Sequence, residues 1–136
     1  MVVHCPGPMS AVALAECAMM FMGMLVRQYK TSQEFFRRRK RYAPMVGDLE
    51  GKSLLILGFG ASGRALARRA RAFDMQVWGI DVRPVEAEVL DELRPDFVGT
   101  PDDLDRLLSQ CDFLSLHLHL HEETENIIDA RRLGLM

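Results

Sequence analysis

The sequence predicts an α/β fold, a parallel sheet with flanking helices, and three observations within one stretch carry that prediction. Residues 53–81 read SLLILGFGASGRALARRARAFDMQVWGID. Leu54, Leu55, Ile56 and Leu57 form the short unbroken apolar run expected of a strand covered on both faces. Gly58, Gly60 and Gly63 follow as G-x-G-x-x-G and open an amphipathic helix. A second strand, Gln76 to Ile80, then ends on Asp81. Strand, turn, helix and strand in that order build a parallel sheet with right-handed crossovers.

Each part has a chemical reason. Gly58 permits a tight turn, Gly60 lets a pyrophosphate approach the backbone, and Gly63 lets the helix pack closely on the strand. The helix start presents free N–H groups and a positive dipole end, which favour phosphate. Asp81 stands about 20 residues beyond the turn, where an acid accepts from the ribose hydroxyls of NAD. A dinucleotide is the expected ligand. Glycines also punctuate ordinary turns, but a structural turn leaves the second strand and its acid unaccounted for. An S-adenosylmethionine site would more often place an acid just before the glycines and space them G-x-G-x-G; this sequence does neither. Arg83 suits a 2′-phosphate, but Asp81 repels one, so NAD is favoured over NADP.

A chain of 136 residues allows one domain with a moderate core. Its 49% hydrophobic and 26% charged fractions are those of a soluble globular protein. A net charge of −2 gives no reason to expect nucleic acid or membrane as partner. Cys5, Cys17 and Cys111 are odd in number, far apart and outside any C-x-x-C, so neither a disulfide framework nor a zinc site follows. A cytoplasmic setting is expected.

In chain order, Val2 and Val3 read as the end of a strand, and Cys5 to Pro8 as a turn. Ser10 is the expected N-cap of a helix from Ala11 to Lys30. The first half of that helix is apolar nearly all round, so both sides should be covered. Met19, Met20, Met22 and Met24 serve as adaptable fillers. That much apolar surface exceeds what a small domain covers and points to a partner surface. The run from Ala11 to Val26 is shorter than the about 20 residues that span a bilayer, and it contains Glu16. Arg37 to Arg41 read as a solvated basic helix, over about 31–42, anchored by Phe35, Phe36 and Tyr42. Gly47 to Lys52 lead into the first strand.

The helix after the glycine turn is expected from Ser62 to Phe73. It should bury Ala65, Leu66, Ala70 and Phe73 and turn Arg64, Arg68 and Arg71 to water, Arg64 also lying within reach of a phosphate. A short helix (Val85 to Leu93) and a brief strand (Phe97 and Val98) come next. Thr100, Pro101, Asp102 and Asp103 combine an N-cap, a proline at the first helical position and acids against the dipole. Leu104, Leu107 and Leu108 give that helix its apolar stripe. Asp112 to Leu118 read as a fourth strand, and Asp129 caps a last helix from Ala130 to Met136. The sum is about the first half of a doubly wound, Rossmann-like domain with its core over 52–136. His117 and His121 share one side of an extended segment, but no fourth ligand is apparent beside Glu122 or Glu123, so no metal is expected.

The order of these motifs resembles the D-isomer-specific 2-hydroxyacid dehydrogenase family over nearly the whole chain. The resemblance rests on Ala15-Glu16 in the first helix, Leu49-Glu50-Gly51-Lys52, and the glycine turn with its helix and Asp81. It continues through Leu104 to Leu108 and into CDFLSLHLHLHEETENIIDARRLGLM, similar to the family's S-L-H-x-P-L, T-x-x-x-I and L-x-x-M pattern. His119 stands where the family usually has proline, and Cys17 where a histidine commonly follows Ala-Glu. The resemblance implies an NAD-binding domain whose first helix helps to pair two subunits as a homodimer. It places the pyrophosphate on the turn formed by Gly58, Phe59, Gly60, Ala61, Ser62 and Gly63, and the adenosine ribose on Asp81 with Val82 and Arg83 beside it. His117 and Leu118 would border the cofactor. The implied reaction moves hydride between the nicotinamide and the CH–OH carbon of a D-2-hydroxy acid. The family's catalytic arginine, acid and histidine match no motif here, so residues 1–136 are expected to bind the dinucleotide without turning over substrate alone. A non-catalytic NAD-binding or dimerisation module is the alternative.

Overall fold

Strand β1 (Ser53–Leu57) lies in the middle of the sheet and is buried along its whole length. Successive side chains of a strand point to opposite faces, and the two faces carry different helices. The computed structural model describes residues 8–41 and 45–136; the readings of Val2, Val3, the Cys5–Gly7 turn and Tyr42 fall outside them. Leu54 and Ile56 pack with α1 (Pro8–Val26) and α3 (Ala61–Ala72), through Ala11, Ala15, Leu66 and Ala70. Leu55 and Leu57 pack on the other face with Leu104, Leu107 and Leu108 of α5 (Leu104–Leu108). Helices on both faces are what an unbroken apolar strand requires.

Among the described residues the sheet has four parallel strands in the order β3-β2-β1-β4, with β2 at Gln76–Ile80, β3 at Phe97–Gly99 and β4 at Phe113–Leu116. The chain winds outward from β1 through β2 to β3, then crosses back to lay β4 on the other side of β1. That reversal creates a switch point at the carboxyl ends of β1 and β4, where open α/β sheets bind ligands. The start of β4 is pinned by Asp112, whose backbone N–H donates to the Ser53 hydroxyl (2.9 Å). Its carboxylate accepts from the Ser53 amide (2.9 Å) and Lys52 (2.9 Å). Those bonds, the backbone amide of Ser53 foremost, hold the Asp112 carboxyl below the usual carboxylate range.

Several expected boundaries shift. The first helix begins at Pro8, so Ser10 lies inside it, and it ends at Val26 rather than Lys30. Gln28 adopts a left-handed conformation (φ 46°) and starts a separate helix, α2 (Tyr29–Arg37). Neither propensity nor the apolar pattern marks that break. The expectation that both sides of the first helix are covered is also corrected. Ala11, Ala15 and Met22 face α3, while Val12, Leu14, Met20, Phe21 and Leu25 are exposed. In α2 no residue is buried and Phe36 is 85% exposed, so it is no anchor. Phe35 lies under Lys40, 5.0 Å from ring centre to Nζ.

Phe73 is likewise exposed rather than buried, because α3 ends at Ala72 and the left-handed Asp74 turns the chain toward β2. Met75 takes the core position instead. Helix α4 spans Ala87–Leu93, two residues later than expected. The fourth strand stops at Leu116, leaving His117 and Leu118 just past its end. Helix α6 is a single turn, Ala130–Leu133, capped by the Asp129 carboxylate accepting from Arg132 N–H (2.7 Å).

Among the described residues one helix, over Met9–Val26, is long and apolar enough to cross a membrane by length and composition. In this fold its Ala11–Ala15–Met22 stripe is packed on α3, and Glu16 pairs with Arg69 at 3.2 Å.

Candidate functional site

The glycine turn sits at the carboxyl end of β1, between β2 and β4, and each glycine answers to a local constraint. Gly58 has φ +98°, a left-handed conformation that disfavours other residues. A Cβ there would also stand 2.6 Å from the His117 carbonyl oxygen. At Gly63 a Cβ would run into the Gly58 carbonyl, so the helix approaches the strand only because this residue has no side chain. Gly60 differs: an added Cβ would meet nothing within 4 Å. The crowding lies beneath the turn and open space lies above it. That space has room for a group that must touch backbone.

The first turn of α3 begins at Ala61, and Arg64 N–H makes the first helical bond, to the Gly60 carbonyl (2.9 Å). The amides before it have no intrahelical acceptor and carry the positive end of the helix dipole. The residues present therefore fit an anionic pyrophosphate. Phe59 points the other way. Its ring is 1% exposed and packs on Gly79, where a Cβ would stand 2.6 Å from it.

Asp81 lies just past β2 with its side chain 13% exposed. One carboxylate oxygen accepts from the Phe59 amide (2.8 Å) and the other from the Arg83 amide (3.0 Å). The acid therefore braces the glycine turn as well as facing the cleft beside it. A cleft of about 150 Å³ is lined by Phe59, Gly60, Arg64, Asp81, Arg83, Pro84, Val85 and Glu86. Arg83 is 83% exposed, its Nε 3.9 Å from Asp81, and Val82 is turned out to solvent.

His117 occupies the opposite wall of the turn. Its backbone N–H donates to the Leu57 carbonyl (2.8 Å), extending the β1–β4 ladder by one bond. Its ring bridges two hydroxyls, Nδ1 at 3.0 Å from Ser62 Oγ and Nε2 at 2.9 Å from Ser115 Oγ. Burial pushes the imidazole below its usual value and favours the neutral ring. A neutral ring donates through one nitrogen and accepts through the other. With the proton on Nδ1, Ser62 accepts from the ring and keeps its own hydroxyl proton free for another acceptor. Leu118 is half-buried and packs with the α5 side of the core, its Cδ2 3.0 Å from where a Gly58 Cβ would stand.

The expected site residues thus fall into two groups around one turn. Phe59, Gly60, Asp81 and Arg83 share the cleft on the β2 side; Ser62 and His117 meet on the β4 side; Val82 joins neither. The sequence reading missed Glu86, which accepts from Arg64 Nη2 at 2.6 Å. Its own backbone amide, then Arg64, hold the Glu86 carboxyl below the usual range. The available signal was a second acid five residues after Asp81. Ser115 was also missed; it reads as ordinary strand sequence, and only its distance to His117 marks it. Arg64 is neither free nor purely solvated, since its Nε donates to the Phe59 carbonyl at 2.8 Å. Among the described residues no three His, Cys, Asp or Glu side chains stand close enough to hold a metal. Cys111 is half-buried, and burial pushes its thiol up to about 11, so it stays protonated near neutral pH.

Residues 19–136 match the family described as D-isomer specific 2-hydroxyacid dehydrogenase, NAD binding domain. The chain is 34% identical over 137 residues to a hydroxypyruvate reductase of Thermotoga maritima, covering 99% of this chain and 42% of that protein. It is 31% identical over 139 residues to a D-3-phosphoglycerate dehydrogenase of Methanocaldococcus jannaschii, covering 99% of this chain and 25% of that one. A glyoxylate reductase structure from Paecilomyes thermophila superposes at TM-score 0.76 with 33% identity, over 93% of this chain and 38% of that chain. A D-lactate dehydrogenase structure from Treponema pallidum gives TM-score 0.80 with 27% identity, over 93% and 37%. The chain spans 25 to 42% of the length of the two curated relatives it matches here. With the switch point, the glycine turn and the acid after β2 already in place, the match leads to one conclusion: the chain belongs to the D-isomer specific 2-hydroxyacid dehydrogenase family and is part of its NAD-binding domain.

Proposed function

We propose that residues 1–136 are the cofactor-holding part of an oxidoreductase that exchanges hydride between NAD and the CH–OH carbon of a D-2-hydroxy acid, working as a homodimer in the cytoplasm. The observation that carries this reading is the glycine turn itself, closed underneath at Gly58 and Gly63 and open above Gly60. In this reading the amides of Ala61, Ser62 and Gly63 and the Ser62 hydroxyl hold the pyrophosphate. Asp81 accepts from the adenosine ribose hydroxyls, with Val82 and Arg83 at its edge. His117 keeps Ser62 oriented, and Leu118 supports the turn from below. When bound, NAD supplies the hydride acceptor or donor. The chemistry at the substrate needs an arginine for the carboxylate and a histidine–acid pair for the proton. None of these is assigned among residues 1–136.

The homodimer reading is supported by the exposed apolar residues of α1 and by a groove of about 680 Å³ lined by Phe21, Met24, Leu25 and Tyr29. A cytoplasmic setting agrees with the free thiols of Cys17 and Cys111. The alternative, a non-catalytic NAD-binding or dimerisation module, draws on the same uncovered helix and predicts the same binding without turnover.

Titration of the purified protein with NAD by calorimetry tests the reading. Asp81→Ala removes the ribose acceptor and is expected to weaken binding by roughly 1–3 kcal/mol. Gly60→Val fills the open space above the turn and should weaken it more. Unchanged affinity in both variants would remove the dinucleotide assignment. Turnover of 2-hydroxy acids by the complete enzyme, and its absence, separates the oxidoreductase from the module.

A further inference from the structure

The cleft beside Asp81 holds two acids and two bases, and its charge balance depends on a contact outside the glycine motif. Asp81 and Glu86 supply the carboxylates, Arg64 and Arg83 the guanidinium groups. Arg83 is largely in solvent. Arg64 is held at both ends, its Nε on the Phe59 carbonyl at 2.8 Å and its Nη2 on Glu86 at 2.6 Å. We propose that Glu86 is a specificity-determining residue: by engaging Arg64 it withholds that guanidinium from a 2′-phosphate and, with Asp81, sets the preference for NAD over NADP.

The proposal rests on the dinucleotide reading of the glycine turn and extends it. If Asp81 accepts from the adenosine ribose, a phosphate on the 2′-oxygen enters this same cleft of about 150 Å³. A phosphate monoester carries about −1.5 to −2 charges near neutral pH. It would meet two carboxylates, with one of the two lining arginines already committed. Guanidinium groups bind phosphate best through two parallel N–H donors. The Glu86 contact takes the outer end of the Arg64 fork, while the Phe59 carbonyl fixes the inner end. Removing the Glu86 charge changes the lining from two acids against two bases to one against two. It leaves Arg64 anchored at Nε and releases Nη2 from its carboxylate partner. Glu86 sits at the N-cap of α4, so the entry of that helix positions it.

The same pair of helices carries an internal control. Arg68 and Glu92 form a second ion pair between α3 and α4, and neither lines the cleft. Losing that pair removes an equivalent tie between the helices without changing the charge around Asp81.

The test is titration of the purified protein with NAD and with NADP at one fixed ionic strength, since exposed charges are screened by salt. In Glu86→Gln the ratio of NADP to NAD dissociation constants is expected to fall about tenfold, or about 1.4 kcal/mol. Glu92→Gln should leave the ratio unchanged, and Arg64→Gln added to Glu86→Gln should restore it. An unchanged ratio in a Glu86→Gln protein that still binds NAD overturns the proposal. So does an equal fall in Glu92→Gln, or a gain that survives loss of Arg64. Failure of the unaltered protein to bind either nucleotide would instead remove the dinucleotide reading, and this proposal with it.

Discussion

All five residues of β1 are buried, whereas the nineteen-residue α1 buries Ala11, Ala15 and Met22 and leaves Val12, Leu14, Met20, Phe21 and Leu25 exposed. Both stretches are strongly apolar in sequence. They differ in what the chain supplies to cover them. β1 has strands on both edges and helices on both faces, so each side chain meets a partner from the same molecule. Among the described residues α1 has α3 on one side and nothing of comparable size on the other. An apolar residue contributes to folding only when its surface leaves water. The apolarity of β1 is thus used within the domain, while much of that in α1 stays exposed to solvent. Contiguous exposed apolar patches commonly mark interaction sites.

Substitutions around the β1 core and on α1 should separate these roles. The largest effect is expected in the core that β1 shares with α3. Leu66 is fully buried against that face, and Leu66→Ala should lower unfolding free energy by about 2–5 kcal/mol, read from denaturant midpoints. A loss under 1 kcal/mol would mean that this core is not closed. At the turn, His117→Leu removes the ring bridge between Ser62 and Ser115. NAD binding should weaken by roughly 0.5–1.5 kcal/mol, and the loss should vanish in a Ser62→Ala background. A loss that persists without Ser62 would assign His117 to packing alone.

On the uncovered side, Leu25→Ser should change monomer stability by less than about 0.5 kcal/mol. If α1 pairs two copies as proposed, sedimentation should nevertheless shift toward monomer, because Leu25 is exposed and lines the groove between α1 and α2. A stability loss like that of Leu66→Ala would show instead that the α1 surface is covered within the chain.

The smallest effect concerns acid. Asp105 accepts from Arg131 (2.7 Å) and Arg132 (2.8 Å), and these contacts, Arg131 first, hold its carboxyl down from 3.8 to about 2. A lowered carboxylate contributes stability above its unfolded value and loses it as pH falls through the folded one. The tie between α5 and α6 should therefore be complete above about pH 4 and fade toward pH 2. Hydrogen exchange of the α6 amides should follow that window, and Asp105→Asn should flatten it.

The legible part of the site was the part written in local chemistry. G-x-G-x-x-G, the apolar run before it and the acid after the second strand each impose a constraint within a few residues; Gly58 and Gly63 stand where theirs demand, and Asp81 lies just past β2 and accepts from the Phe59 amide. The capped start at Thr100 and the Asp129 cap were readable for the same reason. Less visible were contacts between residues far apart in sequence. Ser115 pairs with His117, but His117 meets Ser62 only because β4 lies beside β1. Glu86 meets Arg64 only because α4 enters beside α3.

By itself, the sequence determined the α/β class, the parallel winding and the place of the turn, because backbone geometry and side-chain period are local properties. The tertiary structure decided where the first helix breaks, at the left-handed Gln28, and which of its faces stays uncovered. It also decided that Phe73 leaves the core and that Asp81 braces the turn through the Phe59 amide. The physical reason is common to all four. Burial and hydrogen bonding depend on which distant segment arrives alongside, and a residue's own neighbours in sequence do not carry that information.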